Sequence, residues 1–419
     1  MNIFVISNSA ISERESNGRV LKSILPNLEG NNFLNFYLRG IPEKRKNFSY
    51  LHVSDLDAVR SFLTFGIKKP KNHIEYDVDD LESAFRGHKA KKPFHYFIRN
   101  LAWNSSFYKT HKIRNVIDNF KPDAIYLMAS DTPFLYKLAR IESNKKNIPL
   151  IIYSAEDYPL KKYDYIKQKE QLSFWSKKVI SKLYKEAKKA FLQSANVVFN
   201  SNDLMNAYVK EGFIAKGEVI PLPSTFRKCD NKRTTNANLL YTGNLNYERC
   251  TALIEIADVL SSFENDFVLD VYGLCDIEEC LKQFNEHSKI DYHGLIEYAE
   301  LSKEIQNSRF LVIAEGFSSY NKINFKYSFS TKIADYLLSN KPLVVFGDPE
   351  ICSIKYLKSI FPENVFVSKS ELTQNLPILI QHSRWNNDKY SMIQSIFGYN
   401  NVNKKITELF LNATNNEKI

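Results

Sequence analysis

FSTKIADYLLSNKPLVVFGD, residues 329–348, decides the fold. Ser330 and Thr331 are helix-capping residue types, whose side-chain oxygens accept bonds from the free N–H groups of a first turn. A helix is expected from Thr331 to Leu338. Asn340-Lys341-Pro342 stops it, because proline has no N–H to continue the ladder and restricts the residue before it. Leu343-Val344-Val345-Phe346 follows at once, a short apolar run of the kind that forms a strand covered on both faces. A helix running straight into a buried strand is the crossover of a parallel sheet.

The same alternation extends in both directions. Upstream lie strand-like Leu239-Leu240-Tyr241, a helical pattern over Thr251–Leu260, strand-like Phe267–Tyr272 closed by Gly273, Ile290–His293 closed by Gly294, and Phe310–Ala314. Asn364–Val367 reads as a late strand, with helices after it. In the first half the strands are Ile3–Ile6, the AIYLMA run after Lys121-Pro122-Asp123, Pro149–Tyr153, Ala195–Phe199 and Gly217–Pro221. Helical patterns cover Val20–Leu25 and Thr132–Ile141. Between the halves, Pro223–Asn238 is polar and charged without apolar period, as in a linker. The expectation is two doubly wound, Rossmann-like parallel-sheet domains facing a cleft. The first spans 1–222, the linker 223–238 and the second 239–419, whose last helices have the option of packing back on the first.

Composition agrees with two cores. The chain has 419 residues, 44% of them hydrophobic, beyond the size at which one core keeps growing. No apolar run approaches the roughly 20 residues of a membrane span. The opening MNIFVIS lacks a basic leader and reads as a strand. Five cysteines, with Cys275 and Cys280 at no zinc-knuckle spacing, are expected to be reduced. No His, Asp and Glu cluster shows metal-ligand spacing along the chain.

Ligands of open parallel sheets sit at the carboxyl ends of the strands, so the loops there are the candidates. Tyr241-Thr242-Gly243-Asn244-Leu245 enters a glycine turn before a helix, with Arg249 beyond. Backbone N–H groups at such a turn bind anions, and a guanidinium grips phosphate in a bidentate way. An ordinary turn with a solvated arginine is the competing reading. Lys332 in the first turn of its helix suits a diphosphate. Asp335, one turn on, suits ribose hydroxyls; a surface Lys–Asp pair competes. Ser16-Asn17-Gly18-Arg19 after the first strand offers Gly18 for close approach of a phosphate, or a plain turn. Glu156-Asp157, at the end of the third strand, suits orientation or deprotonation of a hydroxyl; capping by Asp157 before Pro159 competes.

GNLNYERCTALIEIADVL, LDVYG, IDYHGLIEYAELSKEIQNSRFLVIAEGF and FSTKIADYLLSNKPLVVFGD, in this order, resemble the nucleotide-sugar domain of GT-B glycosyltransferases. The likeness is to retaining family 4, particularly its bacterial surface-polysaccharide members. It covers about Leu239–Asp348, and the first half more loosely. It implies transfer of a sugar from a nucleoside diphosphate sugar to a hydroxyl of a glycan or lipid-linked acceptor, in capsule, O-antigen or exopolysaccharide synthesis. Lys332 and Arg249 then hold the diphosphate and Asp335 the ribose. Gly243, Asn244, Tyr272, Gly273, His293, Glu315, Ser330 and Thr331 complete the donor site, with Gly18 across from it, and Glu156 and Asp157 join Arg249 and Lys332 as catalytic candidates. No cofactor or metal is implied. Two departures stand out. Family members commonly have two glutamates separated by seven residues, whereas nineteen residues separate Glu315 from Asp335. The stretch SSYNKINFKYSF reads as an insertion. The usual Lys-Gly after the first strand is replaced by Tyr247-Glu248-Arg249.

The net charge of +10 has a location. Cations from Arg86 to Arg114 interleave with Phe94, Tyr96, Phe97, Trp103, Phe107 and Tyr108, and Lys161–Lys189 contains Phe174, Trp175 and Tyr184. Basic aromatic faces suit anionic headgroups at the inner face of a plasma membrane in a cytoplasmic protein, or else are solvated helix faces. A GT-B nucleotide-sugar epimerase and a basic nucleic-acid-binding protein are the alternatives; nucleic acid ranks lower, because no known module is present.

Overall fold

The computed structural model describes residues 1–13, 16–68, 92–229, 237–382 and 388–416. The chain forms two compact units, Met1–Pro223 with Tyr399–Ile419, and Ser224–Gly398. Unit two thus begins inside the stretch expected as linker. Ser224 pairs with Gly398, and the Cys229 N–H donates to the Ser339 carbonyl. The last helix, Tyr399–Asn416, belongs to unit one. Its Val402, Ile406, Leu409, Phe410 and Ala413 recur on one face and pack into that unit's core, where Phe410 meets the edge of Tyr126.

Unit one holds seven strands: β1 Asn2–Ile6, β2 Asn32–Tyr37, β3 Phe48–His52, β4 Ala124–Met128, β5 Leu150–Ser154, β6 Asn196–Phe199 and β7 Glu218–Val219. Their order is β3-β2-β1-β4-β5-β6-β7, every pair parallel. Unit two holds β8 Asn238–Thr242, β9 Val268–Tyr272, β10 Ile290–Gly294, β11 Phe310–Ala314, β12 Leu343–Phe346 and β13 Val365–Phe366. Their order is β10-β9-β8-β11-β12-β13, again parallel throughout. The order reverses between β1 and β4 in one unit, and between β8 and β11 in the other. Those reversals are the switch points at which such sheets open a crevice for ligands.

The alternation of side chains explains the sheet of unit two. Leu239 and Tyr241 of β8 join Phe310, Val312 and Ala314 of β11 on one face, while Leu240 joins Leu311 and Ile313 on the other. Both faces are covered by helices, so β11 is buried along its whole length. Strands β2 and β3 were not legible as strands. β2 reads NFLNFY, and its Asn35 is wholly buried. The Asn35 side-chain oxygen accepts from the Ile11 N–H at 2.9 Å and its amide donates to Ser7 Oγ at 2.9 Å, which removes the cost of burying it.

One expectation is overturned in this unit. Cys250 and Cys280 are disulfide-bonded, not reduced, while Cys229, Cys275 and Cys352 form no disulfide. The pair lies 30 positions apart, but the helices Arg249–Ser261 and Glu278–Glu286 lie side by side on one face of the sheet and bring the Cα atoms to 6.3 Å. Among the described residues no helix is long and apolar enough to cross a membrane.

Candidate functional site

The switch point of unit two is built from loops that only glycine allows. Gly243 follows β8 with φ +138°, and its N–H donates to the Tyr272 carbonyl at 2.8 Å. A Cβ added to Gly273, after β9, would lie 1.8 Å from the Gly243 carbonyl oxygen, so the two loops touch backbone to backbone. Tyr241 Oη donates to the Asn244 carbonyl at 2.8 Å and closes the turn. Tyr247 and Glu248 both take left-handed φ of 61°. Asn321 Nδ2 donates to the Tyr247 carbonyl at 2.9 Å, and Glu248 Oε2 accepts from the Ser318 N–H at 3.0 Å. This bend delivers Arg249 as the first residue of its helix.

Glu315 is the first residue after β11, across the switch point. Its two carboxylate oxygens accept from Arg249 Nε at 2.9 Å and Nη2 at 3.1 Å. Burial works most strongly against the Arg249 charge, but Glu315, joined by the Tyr241 and Tyr247 phenols, raises the guanidinium above its ordinary value. The Phe325 ring centroid lies 4.8 Å from Arg249 Cζ. Lys332 begins the helix Lys332–Ser339, and its Nζ rests 3.9 Å from the centroid of the Tyr241 ring. A Cβ on Gly243 would come within 3.0 Å of that nitrogen. Burial of the ammonium, then the nearby positive charge of Arg249, lower Lys332 to about 7, with Glu315 opposing. The Tyr336 phenol fastens this helix to β8 by accepting from the Thr242 N–H at 3.1 Å.

Ser330 and Thr331 do not cap the helix as expected. Thr331 has helical backbone angles and makes no side-chain cap bond, and the Ser330 N–H donates to Ser353 Oγ at 2.9 Å. The reason is the chain's entry: residues 326–330 are tied to the helix Cys352–Ile360 and arrive already turning. In place of a side-chain cap, the Ile333 N–H of the first turn donates to the Ser330 carbonyl at 3.2 Å. Asp335 is half-buried one turn beyond Lys332.

Tyr272 and His293 lie at the other end of the same sheet edge. Their rings stack at 4.5 Å and 16°. His293 Nε2 is 3.0 Å from Asp270 Oδ1 and 3.7 Å from Asp291 Oδ2. Among the described residues these three could hold a metal ion, which corrects the expectation of no such cluster. Spacing along the chain hides it: the parallel register sets Asp291 beside Asp270.

Unit one departs further from expectation. Gly18 lies within the helix Ser16–Ser23, and a Cβ there would meet the carbonyls of Ala10 at 2.8 Å and Ser12 at 2.9 Å. The close approach shown is to the chain's own backbone. Asp157 is buried against Lys161 at 3.4 Å, and Lys161 Nζ is ringed by Tyr158, Tyr163 and Tyr165 at 5.0, 5.4 and 5.6 Å. Burial raises the Asp157 carboxyl and Lys161 opposes it. Asp157 makes no side-chain cap bond to the turn Tyr158–Leu160. Glu156 is half-buried, with its carbonyl accepting from Ser154 Oγ and Tyr208 Oη, both at 3.1 Å.

Asp131 at this unit's switch point escaped the sequence reading. It follows β4, accepts from Asn8 Nδ2 at 3.2 Å, and Asn8 follows β1. Its charge helps to raise the Tyr96, Tyr158 and Tyr165 phenols, after burial. The available signal was the Ser130-Asp131-Thr132-Pro133 run directly after a clear strand.

The basic aromatic stretches divide. Arg86, His88, Lys89 and Lys91 lie outside the described residues. Trp103 is core: it stacks on Phe134 at 3.9 Å and donates to Asp55, as does the buried Arg99. Tyr108 is buried too. What remains outside joins the two stretches: Phe94, Phe97, Phe174 and Trp175 cluster where the helices Pro93–Asn104 and Phe174–Gln193 meet, with Lys178 Nζ 4.6 Å from the Phe174 ring. Phe174 is 65% exposed.

No protein-family model and no curated protein matches this chain. Solved structures do. Anabaena Alr3699/HepE in complex with UDP aligns at TM-score 0.62 and 12% identity, over 98% of this chain and 100% of that one. The α,α-trehalose-phosphate synthase (UDP-forming) of Burkholderia xenovorans aligns at 0.58 and 10%, over 99% and 100%. Acinetobacter baumannii MurG aligns at 0.50 and 10%, over 98% and 99%. At these identities the likeness is one of fold, and with two parallel-sheet α/β units of matching strand order the fold is GT-B.

Proposed function

We propose that the chain is a glycosyltransferase that moves a sugar from a uridine diphosphate sugar to an acceptor hydroxyl, with its donor site at the switch point of unit two. One observation carries the reading. Arg249 and Lys332 begin two helices whose starts meet at the ends of β8 and β11, and both cations are already in place. The leaving group of such a transfer is a nucleoside diphosphate, whose negative charge grows as the sugar bond breaks. Two cations at one switch point stabilise that charge more in the transition state than in the ground state. Structures of Anabaena Alr3699/HepE, of the same fold, hold UDP, UDP with glucose, and UDP-glucose.

In this reading Asp335 takes the ribose hydroxyls, the backbones of Gly243 and Gly273 line the diphosphate, and Tyr272 and His293 flank the base. The acceptor, a glycan or lipid-linked sugar, is met by unit one at its own switch point, with Asp131 and Glu156 as the carboxylates available. The sugar is a hexose and its anomeric configuration is retained. The exposed Phe94–Phe97–Phe174–Trp175 cluster rests on anionic lipid at the inner membrane face, where polysaccharide precursors are built. Calorimetric titration with UDP and UDP-glucose tests the donor assignment. Lys332→Ala should lose roughly 2–4 kcal/mol of transition-state stabilisation, the scale for one charged stabiliser. Unchanged turnover in a folded variant would remove Lys332 from the site.

A further inference from the structure

We propose that Glu315 is a positioning residue for the donor diphosphate: its carboxylate holds Arg249 in place and supports the charge of Lys332, and it does not touch the sugar. The proposal rests on the donor-site reading above. Both carboxylate oxygens are occupied by Arg249, at 2.9 and 3.1 Å, and the side chain is 4% exposed. Its backbone is fixed as well, since the Glu315 N–H donates to the Phe346 carbonyl at 2.9 Å and its Cβ lies 3.0 Å from where a Cβ on Gly347 would sit. A carboxylate clamped at both oxygens and so little exposed presents almost no surface to a hexose.

The grip is side-on, through Nε and Nη2. A guanidinium has five N–H donors; this mode uses two of them and leaves the Nη1 edge for a phosphate. The inserted segment closes the other side. Phe325, from the helix Ser319–Phe325, covers the guanidinium, while Ser318 and Asn321 pin the Glu248 and Tyr247 turn that presents it. Lys322 anchors that helix on Asp348 at 3.0 Å. The extra residues after Glu315 therefore form the housing of Arg249.

Charge gives the second half of the role. The groups facing the Lys332 ammonium are the Tyr241 ring, Arg249 and Glu315, with Asp335 and Tyr336 on its own helix. Burial holds the Tyr241 phenol well above its ordinary value, so it stays neutral. Arg249 disfavours the Lys332 proton and Glu315 favours it. Without Glu315, two half-buried cations would face each other and Lys332 would give up its proton at lower pH.

The test is UDP affinity, by calorimetry, of wild-type protein and Glu315→Gln at pH 6 and pH 8. UDP lacks the transferable sugar, and at one pH its own ionisation is common to both proteins. Glu315→Gln should bind UDP about tenfold or more weakly at pH 8, with a smaller deficit at pH 6, where Lys332 keeps its proton. Phe325→Leu, which frees Arg249 without changing charge, should weaken UDP equally at both pH values. Unchanged UDP affinity in Glu315→Gln with weakened UDP-glucose would place Glu315 on the sugar and overturn the proposal. An equal loss at both pH values in that variant would reduce Glu315 to a structural role and overturn it too. Wild-type protein that binds no UDP at either pH would instead remove the donor-site reading beneath it.

Discussion

Donor affinity should fall steeply as pH rises above neutrality, and Lys332 sets the slope. The ammonium lies 3.9 Å from the Tyr241 ring centroid, desolvated and beside Arg249, and these hold it at about 7 in the unliganded protein. A diphosphate placed on it reverses the balance and restores the proton. Only protonated molecules are competent to bind, so the apparent dissociation constant is the intrinsic one divided by the protonated fraction. That fraction falls from about one half at pH 7 to about one hundredth at pH 9, so affinity for UDP-glucose should drop about 50-fold. The diphosphate of a nucleotide sugar has no proton to lose in this range, and the uracil N3–H ionises only toward its alkaline end, so the slope just above neutrality belongs to the protein. Calorimetry across pH 6–9 measures it. Lys332→Arg should flatten the profile, because a guanidinium stays charged throughout. A flat wild-type profile, or an unchanged slope in Lys332→Arg, would refute the assignment.

Lys332 has the opposite sign in stability. Its folded value lies below the unfolded one, so the unfolded chain binds more protons between about pH 7 and 10.5, and the penalty is full at neutral pH and fades as pH rises. Lys332→Met should therefore raise the melting temperature of the unliganded protein by about 2–4 °C, on the order of 1 kcal/mol, while abolishing UDP binding; a lower melting temperature would mean that the ammonium is well solvated. Gly273→Ala forces a Cβ into the Gly243 carbonyl and should destabilise unit two by roughly 1–3 kcal/mol or more in chemical denaturation, with a wild-type midpoint counting against that contact. Reduction of Cys250–Cys280, which closes a loop across 30 positions, should lower stability by roughly 3–4 kcal/mol, read as a shift of the denaturation midpoint with and without reductant. Replacing Phe174 and Trp175 by Ser should release the protein from anionic vesicles in cosedimentation and leave UDP binding intact; equal pelleting of variant and wild type would make the cluster an ordinary surface.

Strands buried on both faces announce themselves, because an apolar run with a hard stop has few other uses. β1, β4, β5, β11 and β12 were legible for that reason. β2 was not, because Asn35 satisfies its amide with Ser7 and Ile11, partners that no local pattern reveals. The glycine turn, Arg249 and Lys332 could be found because each sits at a strand end or helix start that the chain itself marks. Their relations could not. The Arg249–Glu315 bond spans 66 positions, and Asp270 meets His293 only through strand pairing. Helix faces mislead in the same way: Trp103 and Phe94 share one helix and similar neighbours in sequence, yet one is core and the other is exposed.

The departure from the usual glutamate spacing then acquires a physical sense. A site made of Arg249 and Lys332 alone would place two desolvated cations side by side, and the lysine would discharge. Adding Glu315 holds one cation charged and shifts the other toward its proton, but only if the carboxylate is spent on Arg249. A carboxylate so spent is lost to the sugar, and the residues that would normally bring a second acid close are given over to the helix Ser319–Phe325, which encloses Arg249 from the opposite side. Glu315 engaged with arginine and an inserted helix packed against the same arginine are thus two parts of one arrangement. Its net charge is near zero with Lys332 neutral and positive with Lys332 protonated. A diphosphate is the kind of ligand that draws that proton in, and the site is at its most cationic only when the ligand is there to need it.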